Sequence, residues 1–227
     1  MVCDEGASSP IVGTRHHPFG VAISGEEQPT GDAVASAATP APVRLLLGAF
    51  VAASLAVALL VAGRADGAAR EWSSYLAPTG TCAGETSTRA TRAQKARSIR
   101  CLVNWARAQE GRGTLAVRPS LTRAAAMKGQ AVAACGQFSH TPCGSDVSAQ
   151  VRAAGYRFAL FGENLYLGPW GQVSAREVVT AWLRSPSHRA NLLSRAYRDL
   201  GVAPVRAPGL LGAGEAVLWT AAFAAPS

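Results

Sequence analysis

The 227-residue sequence predicts an α+β fold, and three observations carry that prediction. Apolar residues recur at helical spacing in successive segments between residues 92 and 154. Runs at 156–167, 200–205 and 216–223 alternate or are rich in aromatic and β-branched residues, the pattern of strands. Two further helical segments, ending near Leu183 and Leu193, stand between the first and second of these strands. Helices first, then strands with helices between them, imply packed layers, and periodicity alone goes no further than α+β.

Residues 70–89, with Trp72 to Thr88 rich in Ser, Thr, Gly and Pro, read as a linker to a domain over 90–227. In the first helix Ile99, Leu102, Val103 and Ala106 form the buried stripe. Arg92, Lys95, Arg97, Arg100 and Arg107 fall largely elsewhere and read as a solvated basic face, and Gly111 to Gly113 ends the helix. Leu115 and Val117 form a short extended link. Pro119, tolerated in a first helical turn, opens a second helix through Cys135 with Leu121, Ala124, Ala125, Val132 and Cys135 inward. A third helix runs from about Ser145 to Ala154 and stops at Gly155. Tyr156 to Leu167 is the first strand, carrying Glu163 next to Gly162, and Pro169 to Gly171 breaks the chain after it. Ser174 caps a helix to Leu183, and Glu177 three residues on completes a capping box. Pro186 then opens a short helix in which Ser185 is placed to cap and Leu192 and Leu193 are placed to be buried. Leu200 to Val205 and Ala216 to Phe223 follow as strands around a Pro208-Gly209 loop.

Ahead of the domain the character of the chain changes. Residues 1–42 hold few large apolar residues and one Arg against five acids. Such a segment buries too little surface to offset the entropy of ordering, so it is expected to be disordered. Leu45 to Ala62 follows, 18 uncharged residues of mainly Leu, Val, Ala and Phe between Arg44 and Arg64, at the lower edge of a spanning length. A buried core helix would show a polar stripe, and this run has only Ser54 and Gly48. Residues 43–69 therefore read as a signal peptide, with Ala65, Gly67, Ala68 and Ala69 as the small residues of a cleavage site, or as an uncleaved signal anchor. A secretory signal begins close to its apolar run, so one expectation is that translation starts at Val43; the other is a short tail on the near side of the membrane. Both place the domain outside, secreted or held by a single N-terminal transmembrane helix through residues 45–62.

Five motifs stand in order along the domain: Phe138-Ser139-His140, Ala-Ala-Gly-Tyr at 153–156, Gly162-Glu163-Asn164, Trp-Leu-Arg-Ser-Pro-Ser-His-Arg-Ala-Asn-Leu-Leu at 182–193, and Asp199-Leu200-Gly201-Val202. The ordered set resembles the bacterial branch of the CAP superfamily, the SCP-like extracellular domain of cysteine-rich secretory proteins, antigen 5 and pathogenesis-related 1. The likeness runs from near Ile99 to about Phe223. It implies a three-layer α-β-α sandwich and a cavity lined by two histidines and two acids. His188 matches the second histidine, Glu163 the acid of Gly-Glu-Asn, and His140 the Phe-Ser-His histidine, with Asn164, Arg189 and Asn191 as neighbours. The family's second acid is missing, because its place falls on Arg184 or Ser185.

Two neutral imidazoles and a carboxylate converging in one pocket suit zinc with a fourth position for water, and water so held is acidified enough to attack a carbonyl. The competing reading of His140, Glu163 and His188 is a hydrogen-bonded polar cluster that stabilises the fold and requires no cofactor. Neither Gly-x-Ser-x-Gly nor His-Glu-x-x-His occurs, so the two usual hydrolase signatures are absent. A binding module without turnover ranks first, for a lipid, a cell-wall component or a protein. A structural envelope domain ranks second and a metal-assisted hydrolase third.

Cysteines occur at positions 3, 82, 101, 135 and 143, none in a Cys-x-x-Cys pair. In an exported domain the simplest pairing is Cys82 with Cys101 and Cys135 with Cys143, the second closing a loop around His140; other connectivities remain open. Residues 73–227 hold 18 Lys and Arg against seven acids, about +11 net. That charge would draw the domain to an anionic surface, lipid or wall polymer, with an attraction that fades with salt. Of the 22 basic residues 20 are Arg and alanine is abundant, so part of the charge is also expected from a GC-rich coding bias. Nucleic acid is not an expected partner, since no helix-turn-helix or zinc motif is present.

Overall fold

The last strand sets the layering. The computed structural model describes residues 21–27 and 71–227, and in it β5 (Ala216–Pro226) runs through the middle of a five-stranded sheet. Val217, Trp219, Ala221 and Phe223 point into one hydrophobic core, Ala216, Leu218, Ala222 and Ala224 into the core on the opposite face. That is the period-2 alternation of a strand buried on both sides. The strand order is β1 (Val21–Glu27), β3 (Phe158–Pro169), β5, β4 (Asp199–Arg206), β2 (Ala116–Val117). All neighbours pair antiparallel except β2 with β4.

On one face lie α1 (Arg92–Gln109), α4 (Ala175–Arg184) and α5 (Pro186–Leu193), packed through Ile99, Val103, Val178, Trp182 and Leu192. On the other lie α2 (Pro119–Cys135) and α3 (Ala149–Ala153), packed through Leu121, Ala125, Val132 and Val151. The expected α+β fold is thus an α-β-α sandwich. Gly201 shows how tightly the layers meet: a Cβ there would sit 2.1 Å from the backbone carbon of Leu121 on α2.

The predicted caps explain several boundaries. Ser174 accepts from the Glu177 amide while Glu177 accepts from the Ser174 amide, the reciprocal box expected for α4. Thr91 and Gln94 form a second box at the start of α1 that the sequence reading passed over. Gly136, at φ 63°, takes the left-handed conformation that ends α2. Ser185 occupies the N-cap position of α5, yet its side chain makes no cap bond and lies 3.3 Å from the Ser187 hydroxyl instead.

Other expectations change in ways the packing explains. Within residues 1–42, expected to be disordered, Val21–Glu27 extends along the outer edge of β3, whose backbone groups accept it as an antiparallel partner. Residues 28–70, including the apolar run at 45–62, lie outside the described residues. No helix among the described residues is long and apolar enough to cross a membrane. The segment read as a linker is instead packed into the domain: Tyr75, Ala77, Cys82 and Glu85 are buried, and the Glu85 carboxylate gathers the amides of Gly80 and Cys82 and the guanidinium of Arg176. The third helix is shorter than expected because Asp146 and Ser148 form a turn ahead of it.

The basic face of α1 is only partly solvated. Lys95 and Arg107 lie on the buried stripe, four residues before Ile99 and four after Val103. Their charged ends find carbonyl oxygens that no helix or strand satisfies. Lys95 donates to Thr88 and Val173, and Arg107 donates to Gly113, Leu192, Ser194 and Tyr197. Arg107 therefore ties the loop after α5 to α1.

Candidate functional site

The pleat of β3 divides the predicted site residues. Phe161, Leu165 and Leu167 face the α2 layer, and Glu163 shares their parity; Tyr166 faces the α1–α4–α5 layer, and Asn164 shares its parity. Adjacent residues of one motif, Gly-Glu-Asn, thereby serve opposite sides of the sheet.

On the α2 side Glu163 is 1% exposed, and its Oε1 lies 2.8 Å from His140 Nδ1. An Nδ1–H donated to that carboxylate fixes the imidazole tautomer and turns Nε2 inward, where it is buried without a hydrogen-bond partner among the described residues. His140 sits in the loop that Cys135 and Cys143 close, their Cα atoms 5.7 Å apart, so the disulfide holds the histidine's backbone near Glu163. Lys128, also 1% exposed, completes this group. Its Nζ donates to the His140 carbonyl oxygen at 2.5 Å and lies 3.9 Å from Glu163 Oε1. Burial pushes the Glu163 carboxyl up from its ordinary range, against the opposing pull of His140 and Lys128. Burial likewise draws the Lys128 amine down, against the pull of Glu163. At about 4 Å and an effective dielectric of about 20 the two charges attract by roughly 4 kcal/mol, comparable with the several kcal/mol that burying each ion costs. The hydrogen bonds at the imidazole and carbonyl of His140 offset part of that cost.

On the α5 side His188 is 2% exposed, and its main-chain carbonyl belongs to a set of amide bonds that also reaches the Glu163 carbonyl oxygen through Asn191. Asn164 Nδ2 donates to the His188 carbonyl oxygen at 3.1 Å, and Asn191 Nδ2 donates to Asn164 Oδ1 at 2.9 Å. Gly162 must be small here, because a Cβ would lie 2.3 Å from the Tyr197 hydroxyl. Arg189 donates to the Leu183 carbonyl at the end of α4, which sets the angle between α4 and α5.

Among the described residues no three of His, Cys, Asp and Glu are grouped so as to hold a metal ion. The three-ligand set expected from His140, Glu163 and His188 is not assembled, and the reason is physical. Oε1 of Glu163 is taken by His140, the Lys128 ammonium stands where a cation would be attracted, and α5 carries His188 on the other layer. Zinc does not fit this arrangement. Sequence reasoning missed Lys128, although the signal was present: it falls seven residues after Leu121 and four after Ala124, on the inward stripe of α2.

The other motifs have structural roles. Tyr156, of Ala-Ala-Gly-Tyr, donates its hydroxyl to Asp199 Oδ2 at 2.6 Å, and Arg118 pairs with the same carboxylate at 2.9 Å. Asp199 opens β4, so the two contacts tie α3 and α2 to the sheet. Cys82 and Cys101 form the other expected bridge, which staples the segment before α1 to that helix.

A family model for the CAP family, described as the cysteine-rich secretory protein family, matches residues 101–223, more than half of the chain. The chain belongs to the CAP family. It is similar to the uncharacterized protein YkwD of Bacillus subtilis, 28% identical over 123 residues that cover 54% of this chain and 44% of YkwD. Among solved structures it resembles an extracellular protein containing a SCP domain from Bacillus anthracis, with 21% identity, a TM-score of 0.50, and coverage of 59% of this chain and 41% of that one. It also resembles an outer surface protein of Borrelia burgdorferi, with 17% identity, a TM-score of 0.53, and coverage of 61% of this chain and 97% of that one. These likenesses carry the CAP fold. The chain spans less than half the length of YkwD and of the Bacillus anthracis protein.

Proposed function

We propose that this CAP protein is an exported binding module at the cell envelope or outside the cell, and that its ligand face is the outer side of α1. The observation that carries this is a groove of about 400 Å³ where α1, α2 and β4 diverge at the sheet edge. Its floor is apolar, with Ala96, Val202 and Pro204, and Val117 beside it is 44% exposed. Its rim is cationic, with Arg92, Arg97 and Arg100. No carboxylate among the described residues pairs with Arg97 or Arg100. An apolar trough edged by such guanidinium groups suits an anionic amphiphile, such as a lipid headgroup with its first methylenes.

Export is supported by the apolar run at 45–62, by the two disulfides, which persist in oxidising compartments, and by the likeness to an extracellular and an outer surface protein. Wall polymers and proteins are the other partners to be tested. A stabilising role for the Lys128–Glu163–His140 cluster is favoured over turnover, because its charged atoms are buried and satisfy one another.

Co-sedimentation with vesicles tests the reading. The protein is expected to bind vesicles of anionic phospholipid, to ignore zwitterionic ones, and to release as salt rises past about 0.15 M, where the Debye length falls to about 8 Å. Arg97→Glu with Arg100→Glu should abolish that binding without loss of helicity. Equal binding to both vesicle types, or binding untouched by the double substitution, would sink it.

A further inference from the structure

We infer that Lys128 is the resident cation of the His140–Glu163 site, so that this CAP domain closes to divalent metal a position its fold would otherwise leave open to it. This site is separate from the binding face proposed above and independent of it. Close packing places the lysine: a Cβ on Gly129 would sit 2.6 Å from Val205 Cγ2, so α2 lies nearly on top of β4 at this point. That approach carries the neighbouring Lys128 into the interior rather than out to solvent. Its ammonium is held from two sides, by the His140 carbonyl oxygen at 2.5 Å and by Glu163 Oε1 at 3.9 Å.

Charge counting then decides what the site accepts. The carboxylate and the ammonium already balance each other's charge, and the imidazole is bound to the carboxylate at 2.8 Å. A divalent ion would add two positive charges to a buried cluster whose carboxylate is already engaged by His140 and Lys128. A second carboxylate would offset them, but the sequence offers Arg184 and Ser185 at the family's place for it, and Arg184 is turned outward against Trp72, 5.1 Å from its ring centre.

The test uses the full chain with Zn²⁺ alone as the probe. Lys128→Met removes the charge and keeps the stem volume. Calorimetry should show zinc binding to the variant about 100-fold tighter than to the wild type, since each tenfold step corresponds to a modest change in Coulomb energy at this distance. Adding Glu163→Gln to Lys128→Met should erase the gain, which also separates this site from adventitious binding elsewhere on the chain. No gain in Lys128→Met, or a gain that survives Glu163→Gln, overturns the inference. A second measurement needs no variant at position 128. In the wild type, imidazole ¹⁵N signals of His140 should stay in place at equimolar Zn²⁺. A stoichiometric shift of those signals overturns the inference as well.

Discussion

Gly201 and Arg107 carry more of this fold than their exposure to chemistry would suggest. Adding a methyl at Gly201 drives it into the Leu121 and Thr122 backbone at 2.1 and 2.3 Å, and helix backbone cannot rotate away as a side chain can. Gly201→Ala is therefore expected to destabilise by about 3 kcal/mol, the upper part of the range for overpacking, read as a lowered denaturation midpoint. Arg107 serves four carbonyl oxygens from a side chain that is 1% exposed. Arg107→Lys keeps the charge but cannot reproduce that fan of donors, so it should cost at least about 2 kcal/mol by the same measurement. A neutral result would mean that the loop after α5 is held by packing alone.

These residues also show what sequence reading can reach. The inward stripes of α1 and α2 were legible as apolar periodicity, and that same periodicity contains Lys95, Arg107 and Lys128. A charged residue on a stripe reads as solvent-facing unless its partners are known, and here the partners include carbonyl oxygens from segments 78 to 90 residues away and a carboxylate on β3. The family likeness led to the expectation that His140, Glu163 and His188 share one cavity; the structure shows His140 Nδ1 at 2.8 Å from Glu163 Oε1. That the Glu163 side chain faces the α2 layer while α5 carries His188 on the other could not be read from spacing along the chain, because it follows from the parity of β3 within the sheet.

At the scale of elements, the two disulfides differ in what they constrain. Cys82 and Cys101 are 19 residues apart and Cys135 and Cys143 eight apart. By the loop-entropy relation, removing the first as a Ser pair should cost about 3 kcal/mol and removing the second somewhat less. The larger effect of the second should be local. The loop bearing His140 should gain hydrogen exchange while α1 stays protected; uniform exchange across the domain would contradict this. The turn before α3 should respond to acid. Asp146 accepts from the Ser148 amide and hydroxyl and pairs with Arg152, and the Ser148 hydroxyl and amide bonds above all hold its carboxyl below the usual range. A depressed carboxylate contributes stability that is full above its unfolded value, near 3.9, and is lost as pH falls through the lower folded value. The stability difference between wild type and Asp146→Asn should therefore be constant from about pH 5 to 7 and shrink in acid as pH falls through the lowered folded value. A difference that persists there would assign the effect to something other than the charge. Helix ends were legible through Ser174, Glu177 and Gly136, whereas the burial of residues 72–88 was not, since that stretch has no periodicity to announce it.

At the scale of the whole molecule, β1 and export constrain each other. β1 pairs with the outer edge of β3, with Gly25 opposite Glu163. A membrane-spanning segment at 45–62 would place residues 21–27 and the domain on opposite sides, and cleavage near Ala65 would remove them. The pairing and either route of export would thus exclude one another in one molecule, and the β3 edge would be open in an exported form. We propose export as the working state, and mapping the native protein tests it most directly. Protein purified from the envelope and medium of the producing cells, digested without reduction, should yield the Cys82–Cys101 and Cys135–Cys143 peptides, and its N-terminus should lie between Ala65 and Arg70 or remain intact in the membrane fraction. Soluble full-length protein inside the cell with all four of these thiols free would contradict the account.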